Sequence, residues 1–294
     1  MQRYPSLRDR AIVITGGGRG LGRVMTLALA AQGARLLITA ARAPQDMDET
    51  IAAARTLGAG AVTGLVADVT DPAACDRVAA ACIAAYGRID VVVNNAGRSG
   101  FDGVVPKPDG SPLRFWEAEV DAFRTVTETN LVGPWLMARA VVPHMIEAGF
   151  GKLVNISTSR PNMVRMGGSP YGPCKAALEA ASVSWANDLD GSGVTVNVLL
   201  PGGPADTALI PGAVGSRAIA GFRPGKGPVG QEGIVEGGLL PPDVMAAPIL
   251  WLCADESNGV TGRRVVGRDW DPDLPTAEAV AIAVQPKGGA PLIM

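Results

Sequence analysis

Tyr171 and Lys175 stand four positions apart in the sequence. In a helix, this spacing puts both side chains on one face in adjacent turns. Ser169 is a favoured N-cap residue and Pro170 suits the first helical position, so we predict that a helix begins here. An ammonium group beside a phenol favours the phenolate and would lower the tyrosine pKa from about 10. Such a tyrosine could exchange protons with an alcohol or a ketone; the alternative is an ordinary surface pair.

The composition indicates one domain spanning residues 1–294. Hydrophobic residues make up 47% of the chain and charged residues 18%, with 38 glycines, which suits buried strands joined by tight turns. The formal net charge is -2 without a block of like charge, so neither nucleic acid nor an anionic membrane is expected as a partner. The polar N-terminus and the lack of a run of about eighteen apolar residues predict a cytoplasmic protein that does not cross a membrane.

Cysteine and histidine usage argues against a metal site. Cys75, Cys82, Cys174 and Cys253 form no C-x-x-C pair, so we expect reduced thiols rather than disulfides or zinc ligands. His144 is the only histidine. No metal is therefore predicted.

A glycine-rich segment follows the first apolar run. Residues 11–15 are typical of a strand and residues 24–32 of a helix, with G-G-G-R-G-L-G between them. Gly16, Gly20 and Gly22 would let the backbone turn sharply and approach a pyrophosphate, which the N-terminal end of the helix attracts. The flanking strand and helix favour this interpretation over a simple tight turn.

Strands and helices alternate along the rest of the chain, which predicts an α/β fold: one Rossmann-type, doubly wound domain with a seven-stranded parallel sheet flanked by helices. The predicted strands are residues 11–15, 35–39, 61–66, 90–93, 152–157, 194–199 and 263–266. The predicted helices are residues 24–32, 46–57, 71–86, 115–147, the helix that carries Tyr171, and residues 243–253. The Gly- and Pro-rich residues 203–242 are predicted to form a substrate lid. The tail from Asp269 to residue 294 is predicted to be extended and to pack on a partner subunit.

These residues resemble, in one order along the chain, the motifs of the short-chain dehydrogenase/reductase family. The matching segments are Thr15-Gly16-x-x-x-Gly20-x-Gly22, Asp68-Val69, Asn94-Asn95-Ala96-Gly97, Asn130, Tyr171-x-x-x-Lys175, and Pro201-Gly202 with Thr207. The resemblance implies that Tyr171 is the general acid/base, that Lys175 holds the nicotinamide ribose and lowers the tyrosine pKa, and that Asn130 seats a water in a proton relay. The cofactor-binding residues expected on this basis, together with two arginines argued from charge below, are Thr15, Gly16, Gly18, Arg19, Gly20, Leu21, Gly22, Arg42, Asp68, Val69, Asn95, Ala96, Gly97, Tyr171, Lys175, Pro201, Gly202 and Thr207.

The chain departs from the family pattern in two places. The family's catalytic serine lies thirteen residues before the tyrosine, where this chain has Thr158. A threonine hydroxyl can donate the same hydrogen bond, but Ser157 and Ser159 flank it, and we rank Thr158 slightly ahead of Ser157. The spacing from Pro201 to Thr207 is one residue longer than usual.

Charge favours one of the two nicotinamide cofactors. An NAD site typically has a carboxylate after the second strand, and that position is Ala40 here. Arg19 and Arg42 could instead bind a 2′-phosphate. We therefore favour NADP(H), with NAD(H) as the alternative.

The resulting hypothesis is an NADP(H)-dependent oxidoreductase that acts on a small-molecule carbonyl/alcohol pair. One alternative is a non-catalytic dinucleotide sensor or regulatory subunit, and another is an epimerase or dehydratase on the same scaffold. Arg160 and Arg165 are candidates to meet an acidic group of the substrate. The resemblance also implies a homodimer or homotetramer, formed through the helices that contain Asn130 and Tyr171.

Overall fold

The computed structural model describes residues 3–99, 112–207, 209, 222–223, 227–228 and 239–287. Most of the predicted lid lies outside the described residues, as do residues 100–111, which follow the Asn95-Ala96-Gly97 motif.

A seven-stranded sheet forms the centre of the molecule, and every strand pairing in it is parallel. The strands are β1 (Ala11–Thr15), β2 (Arg35–Ala40), β3 (Ala61–Val66), β4 (Val91–Asn94), β5 (Gly151–Ile156), β6 (Val194–Leu200) and β9 (Arg264–Val266). Their order, β3-β2-β1-β4-β5-β6-β9, reverses direction between β1 and β4. This confirms the predicted doubly wound, Rossmann-type fold, in which ligands bind beyond the carboxyl ends of the strands at the point of reversal. Two further strands, β7 (Phe222–Arg223) and β8 (Gly227–Pro228), pair antiparallel in a separate two-stranded sheet.

Helices cover both faces of the sheet. They are α1 (Gly20–Ala30), α2 (Pro44–Thr56), α3 (Pro72–Tyr86), α4 (Val120–Thr127), α5 (Gly133–Glu147), α6 (Arg160–Val164), α7 (Tyr171–Asp188), α8 (Ala246–Cys253) and α9 (Thr276–Ala283). Successive residues of β1 point to opposite faces: Ile12 and Ile14 belong to a core with α1, α2 and α8, and Ala11 and Val13 to a core with α3, α5 and the end of α7. Because both faces are covered, most residues of the central strands are buried and apolar, although β5 also carries the buried Lys152 and Asn155.

The predicted helix over residues 115–147 is interrupted. It consists of a 3-10 helix (Phe115–Glu117), α4, a π-helical turn (Glu128–Val132) and α5. The wide turn contains Asn130, whose Nδ2 donates to the carbonyls of Val126 and Arg98, both at 2.9 Å. A buried side chain that bonds to the backbone competes with regular helical pairing, and hydrophobic periodicity does not reveal such a turn.

Other element boundaries also differ from the prediction. Helix α1 begins at Gly20 instead of residue 24, and α8 begins at Ala246 instead of residue 243. The helix of Tyr171 begins at that residue, with Pro170 at the N-cap position, and not with Ser169 as N-cap. The prediction of an extended tail from Asp269 was wrong, because this segment contains α9, whose Ala279 and Ala283 pack against the core. Pro275 directly precedes that alanine-rich helix, and a proline at this place is a sequence signal for the start of a helix.

All four cysteines are buried free thiols, in agreement with the prediction. Burial raises the pKa of Cys75 to about 11 and the pKa of Cys82 and Cys253 to about 12. The pKa of Cys174 is also raised by burial. None of these thiols is therefore poised to ionise near neutral pH.

Candidate active site

A cleft of about 370 Å³ opens at the carboxyl ends of the central strands. It brings together all of the predicted site residues except Thr15 and Gly202. The predicted residues that line it are Gly16, Gly18, Arg19, Gly20, Leu21, Gly22, Arg42, Asp68, Val69, Asn95, Ala96, Gly97, Asn130, Ser157, Thr158, Tyr171, Lys175, Pro201 and Thr207.

Thr15 and Gly202 support the cleft from behind. The Thr15 hydroxyl oxygen accepts hydrogen bonds from the backbone N–H groups of Asn95 and Ala96, each at 3.0 Å, and so joins the ends of β1 and β4. Gly202 has φ +95°, and a Cβ there would lie 2.6 Å from Cγ of Arg268. Only glycine fits this turn without strain.

The glycines where β1 leads into α1 occupy positions in which another residue would be strained. A Cβ on Gly22 would lie 2.1 Å from the carbonyl oxygen of Gly16, and Gly20 has φ +54°. The first turn of α1 therefore approaches the end of β1 closely and presents its N–H groups to the cleft. Thr207 lies beside Gly20, since its Cβ is 3.4 Å from where a Gly20 Cβ would be. This shape and polarity fit the pyrophosphate of a dinucleotide.

Two arginines and one carboxylate that was not predicted also line the cleft. Arg19, Arg42 and Ala40 line it as predicted, together with Asp46. Nη1 of Arg19 lies 3.9 Å from Oδ2 of Asp46, and both side chains are exposed. An exposed pair of this length is weak, so it does not commit Arg19 to Asp46.

Tyr171 forms a hydrogen bond with the side chain of Thr158, the residue ranked ahead of Ser157. Nδ2 of Asn162 donates to Oγ1 of Thr158 at 2.8 Å. Because Asn162 supplies a proton to that oxygen, the Thr158 hydroxyl remains free to donate its own proton to Tyr171. Sequence reasoning missed Asn162; it lies four residues after Thr158, on the short helix α6, which was also not predicted.

The pKa of Tyr171 shifts in the direction opposite to the expectation from sequence. Burial raises it, whereas the hydrogen bond to Thr158 and the charge of Arg165 oppose the rise. The proposed effect of Lys175 is not realised because its Nζ, 5.9 Å from the centroid of the tyrosine ring, donates instead to the carbonyl of Ile156 at 2.9 Å. The cation next to the phenol is therefore Arg165, which lines the cleft, whereas Arg160 is exposed and does not.

Lys175 is 4% exposed. Burial lowers its pKa to about 8, although nearby Cys174 and Glu179 act to raise it. Lys175 is therefore a cation below about pH 8 and becomes neutral above it.

Two buried polar atoms that line the cleft have no hydrogen-bond partner among the described residues: Oδ1 of Asn130 and Oγ of Ser157. A Cβ on Gly97 would lie 2.9 Å from Oδ1 of Asn130. A side chain at position 97 would therefore crowd this oxygen, and glycine leaves it accessible. Buried polar atoms usually have partners. These acceptors, the glycine turn and the two arginines form a donor and acceptor set that fits a nicotinamide dinucleotide.

The part of the chain that the structure describes holds no cluster of three or more His, Cys, Asp or Glu side chains suited to a metal ion. Among the same residues, no helix combines the length and apolarity needed to cross a membrane.

Comparison with known proteins identifies relatives that cover most of the chain. The family model described as short chain dehydrogenase matches residues 10–211. The chain is 35% identical over 216 residues to the 1-deoxy-11-beta-hydroxypentalenate dehydrogenase of Streptomyces exfoliatus, covering 73% of this chain and 74% of that protein. It is 31% identical over 265 residues to the 3-oxoacyl-(acyl-carrier-protein) reductase FabG of Thermotoga maritima, covering 90% and 97%.

The solved structures include a similar fold with a nicotinamide cofactor. The crystal structure of a short chain dehydrogenase from Mycobacterium paratuberculosis bound to NAD matches with a TM-score of 0.71 and 25% identity. The match covers 88% of this chain and 96% of that one.

Proposed function

This chain belongs to the short-chain dehydrogenase/reductase family, and we propose that it is an NADP(H)-dependent oxidoreductase that interconverts a small-molecule ketone and its alcohol. The observation that carries the proposal is the hydrogen-bonded set of Asn162, Thr158 and Tyr171 in a cleft that also holds Lys175. A non-catalytic dinucleotide sensor would need the glycine turn but not this set.

The bound nicotinamide would supply or accept the hydride. Reduction places negative charge on the carbonyl oxygen, and the phenol of Tyr171 would give it a proton. Thr158, whose own proton faces Tyr171, would stabilise the phenolate that remains. Lys175 would bind the nicotinamide ribose, and Asn130 would hold a water through its unpartnered Oδ1. Burial, which keeps Tyr171 protonated at neutral pH, favours its role as an acid in the direction of reduction.

The proposal is tested by the initial rates of NADPH and NADH oxidation over a panel of ketones, aldehydes and acyl thioesters. Turnover of any of these with consumption of the cofactor supports the oxidoreductase. Tight NADPH binding without turnover in either direction would favour the sensor instead.

Arg19 and Arg42 support NADP(H) as the preferred cofactor, although the related structure above holds NAD. We expect Arg19→Gln and Arg42→Gln each to lower kcat/KM for NADPH by about 10-fold or more, because each removes a charge-assisted contact to the 2′-phosphate. The same variants should change kcat/KM for NADH by less than about 3-fold. Arg77→Gln, an exposed arginine on α3, is the control. Equal losses with both cofactors would contradict the assignment.

Variants that remove one hydroxyl at a time distinguish the proposed catalytic role of Thr158 from that of Ser157. Thr158→Val removes the hydroxyl that faces Tyr171, and we expect kcat to fall by about 100-fold, at the lower end of the range for one acid–base contribution. Ser157→Ala should change kcat much less, since its Oγ has no partner among the described residues. If Ser157→Ala proves the more damaging, Ser157 holds the catalytic role and our ranking is reversed.

We also propose that the protein is cytoplasmic and forms a homodimer or homotetramer through the segments that contain Asn130 and Tyr171. Trp135, 49% exposed on α5, supports such a contact. Light scattering after size exclusion measures the mass directly, and a monomer would contradict the proposal.

A further inference from the structure

Arg264 connects four parts of the chain behind the cleft. It lies on β9, and its Nε donates to both carboxylate oxygens of Glu179 at 3.0 and 3.1 Å. Its Nη2 donates to the backbone carbonyl of Thr158 at 3.1 Å, and its Nη1 to Oε1 of Gln285 at 3.3 Å. One guanidinium on β9 thus contacts α7, the segment after α9, and Thr158 just beyond the end of β5.

The contacts between Arg264 and Glu179 are largely shielded from solvent. The Arg264 and Glu179 side chains are 14% and 20% exposed. At such burial the ion pair, in which one Nε–H is shared between both carboxylate oxygens of Glu179, is screened less than a surface pair. The planar guanidinium also fixes the directions of its other donors. Arg264 does not line the cleft, so it would not touch a substrate.

Two of the partners of Arg264 are linked to the proposed proton-transfer groups. Thr158 presents its hydroxyl to Tyr171 and its carbonyl to Arg264, so the arginine holds the same residue from the other side. Glu179 lies one helical turn after Lys175 on α7, and its carboxylate acts to raise the pKa of Lys175.

We propose that Arg264 is a positioning residue for the reaction: it fixes Thr158 so that the hydroxyl meets Tyr171, and it binds the Glu179 carboxylate so that this group does not turn toward Lys175. This inference rests on the proposed function. Arg264 acts through these neighbours and not on the substrate.

The segment after α9 helps to hold Arg264 in place. Its Gln285 holds Arg264 twice, through the side-chain contact above and through a backbone N–H bond to the Arg264 carbonyl at 2.8 Å. Val284 also bridges to Val265. The end of the described chain thereby supports the orientation of Thr158.

The test compares Arg264→Gln with Glu179→Gln in the full-length protein. Glu179→Gln removes the ion pair but leaves Arg264 on the Thr158 carbonyl, whereas Arg264→Gln removes both. We expect Arg264→Gln to lower kcat by about 10- to 100-fold, because a small misplacement of a catalytic group has effects of this size. The KM for the cofactor should stay within about 3-fold. Glu179→Gln should lower kcat by less than about 5-fold.

A readout that does not need turnover accompanies the kinetics. The absorbance of tyrosinate, measured as the difference between each protein and its Tyr171→Phe counterpart, reports the ionisation of Tyr171. Since the Thr158 hydrogen bond lowers the pKa of Tyr171, displacement of Thr158 in Arg264→Gln should move this titration to higher pH. Arg165, the other group that lowers this pKa, is unchanged.

Arg263→Gln is the matched control, because it removes the same charge one position earlier on the chain, outside the contacts of Arg264. If Arg264→Gln does not fold, Arg264→Lys, which keeps the charge but not the planar guanidinium, is measured in its place. Equal kcat losses in the Arg264 and Glu179 variants, with an unmoved Tyr171 titration, would overturn the proposal and leave Arg264 a purely structural role. An inactive wild type would instead refute the proposed function, while the titration would still report on the positioning of Thr158.

Discussion

Tyr171→Phe is expected to reduce kcat for ketone reduction by about 1,000-fold or more, because it removes the proton that the carbonyl oxygen receives. Phenylalanine fills nearly the same volume and keeps the ring beside Lys175, so the fold should be little changed. The KM for the cofactor should move by less than about 3-fold. Steady-state rates at varied cofactor concentration would measure both quantities, and cofactor fluorescence would confirm that the variant still binds the cofactor.

The control for this variant is Tyr86→Phe. Tyr86 is also buried, but its hydroxyl donates to the carbonyl of Leu36 at 2.6 Å, far along the sheet from the proposed chemistry. Its loss should lower thermal stability and leave kcat close to that of the wild type. Comparable activity losses in the two variants would show that Tyr171 contributes to folding and not to proton transfer.

Lys175→Met should lower kcat/KM for the cofactor by about 100-fold or more, because the variant removes the buried ammonium that would bind the ribose hydroxyls. The pH dependence gives a sharper result. Because the pKa of Lys175 is lowered to about 8, the ammonium is present below that pH and is lost above it. In the wild type, kcat/KM should therefore decline as the pH rises through about 8, and in Lys175→Met this decline should be absent.

Lys152→Met is the matched control. Lys152 is another buried lysine whose pKa burial lowers to about 8, but it donates to the carbonyl of Ala254 and the hydroxyl of Ser257, away from the cleft. Its variant should retain the alkaline decline. Persistence of that decline in Lys175→Met would assign it to another group.

The sheet was predictable from sequence because apolar runs at regular intervals followed by turns report directly on burial. All seven strands lie within one residue of their predicted ends, and Gly16 and Gly22 approach each other closely, as a sharp glycine turn requires. The cleft was predictable because parallel strands deliver the residues after their carboxyl ends to one edge. The preference for Thr158 over Ser157 stays a prediction, which the hydrogen bond between Thr158 and Tyr171 supports.

Features that depend on contacts between distant segments were not predictable. The π-helical turn contains Asn130, whose side chain donates to the carbonyl of Arg98, 32 positions away in sequence. The pKa direction of Tyr171 depends on burial and on where the ammonium of Lys175 points, which a spacing of four residues does not determine. Arg264 reaches Thr158 from 106 positions away, and no local pattern marks that pairing.

The rates at which the four buried thiols react with a labelling reagent report the local opening of different parts of the fold. With no thiolate available near neutral pH, a reagent such as iodoacetamide can label a cysteine only after the surrounding layer opens. Cys253 then reports the release of α8, Cys75 and Cys82 that of α3, and Cys174 that of the helix beneath the cleft. The labelling rate of each cysteine measures the local opening of one layer. We expect a ligand bound in the cleft to slow the labelling of Cys174 most, because Cys174 is the neighbour of Lys175, which lines the cleft.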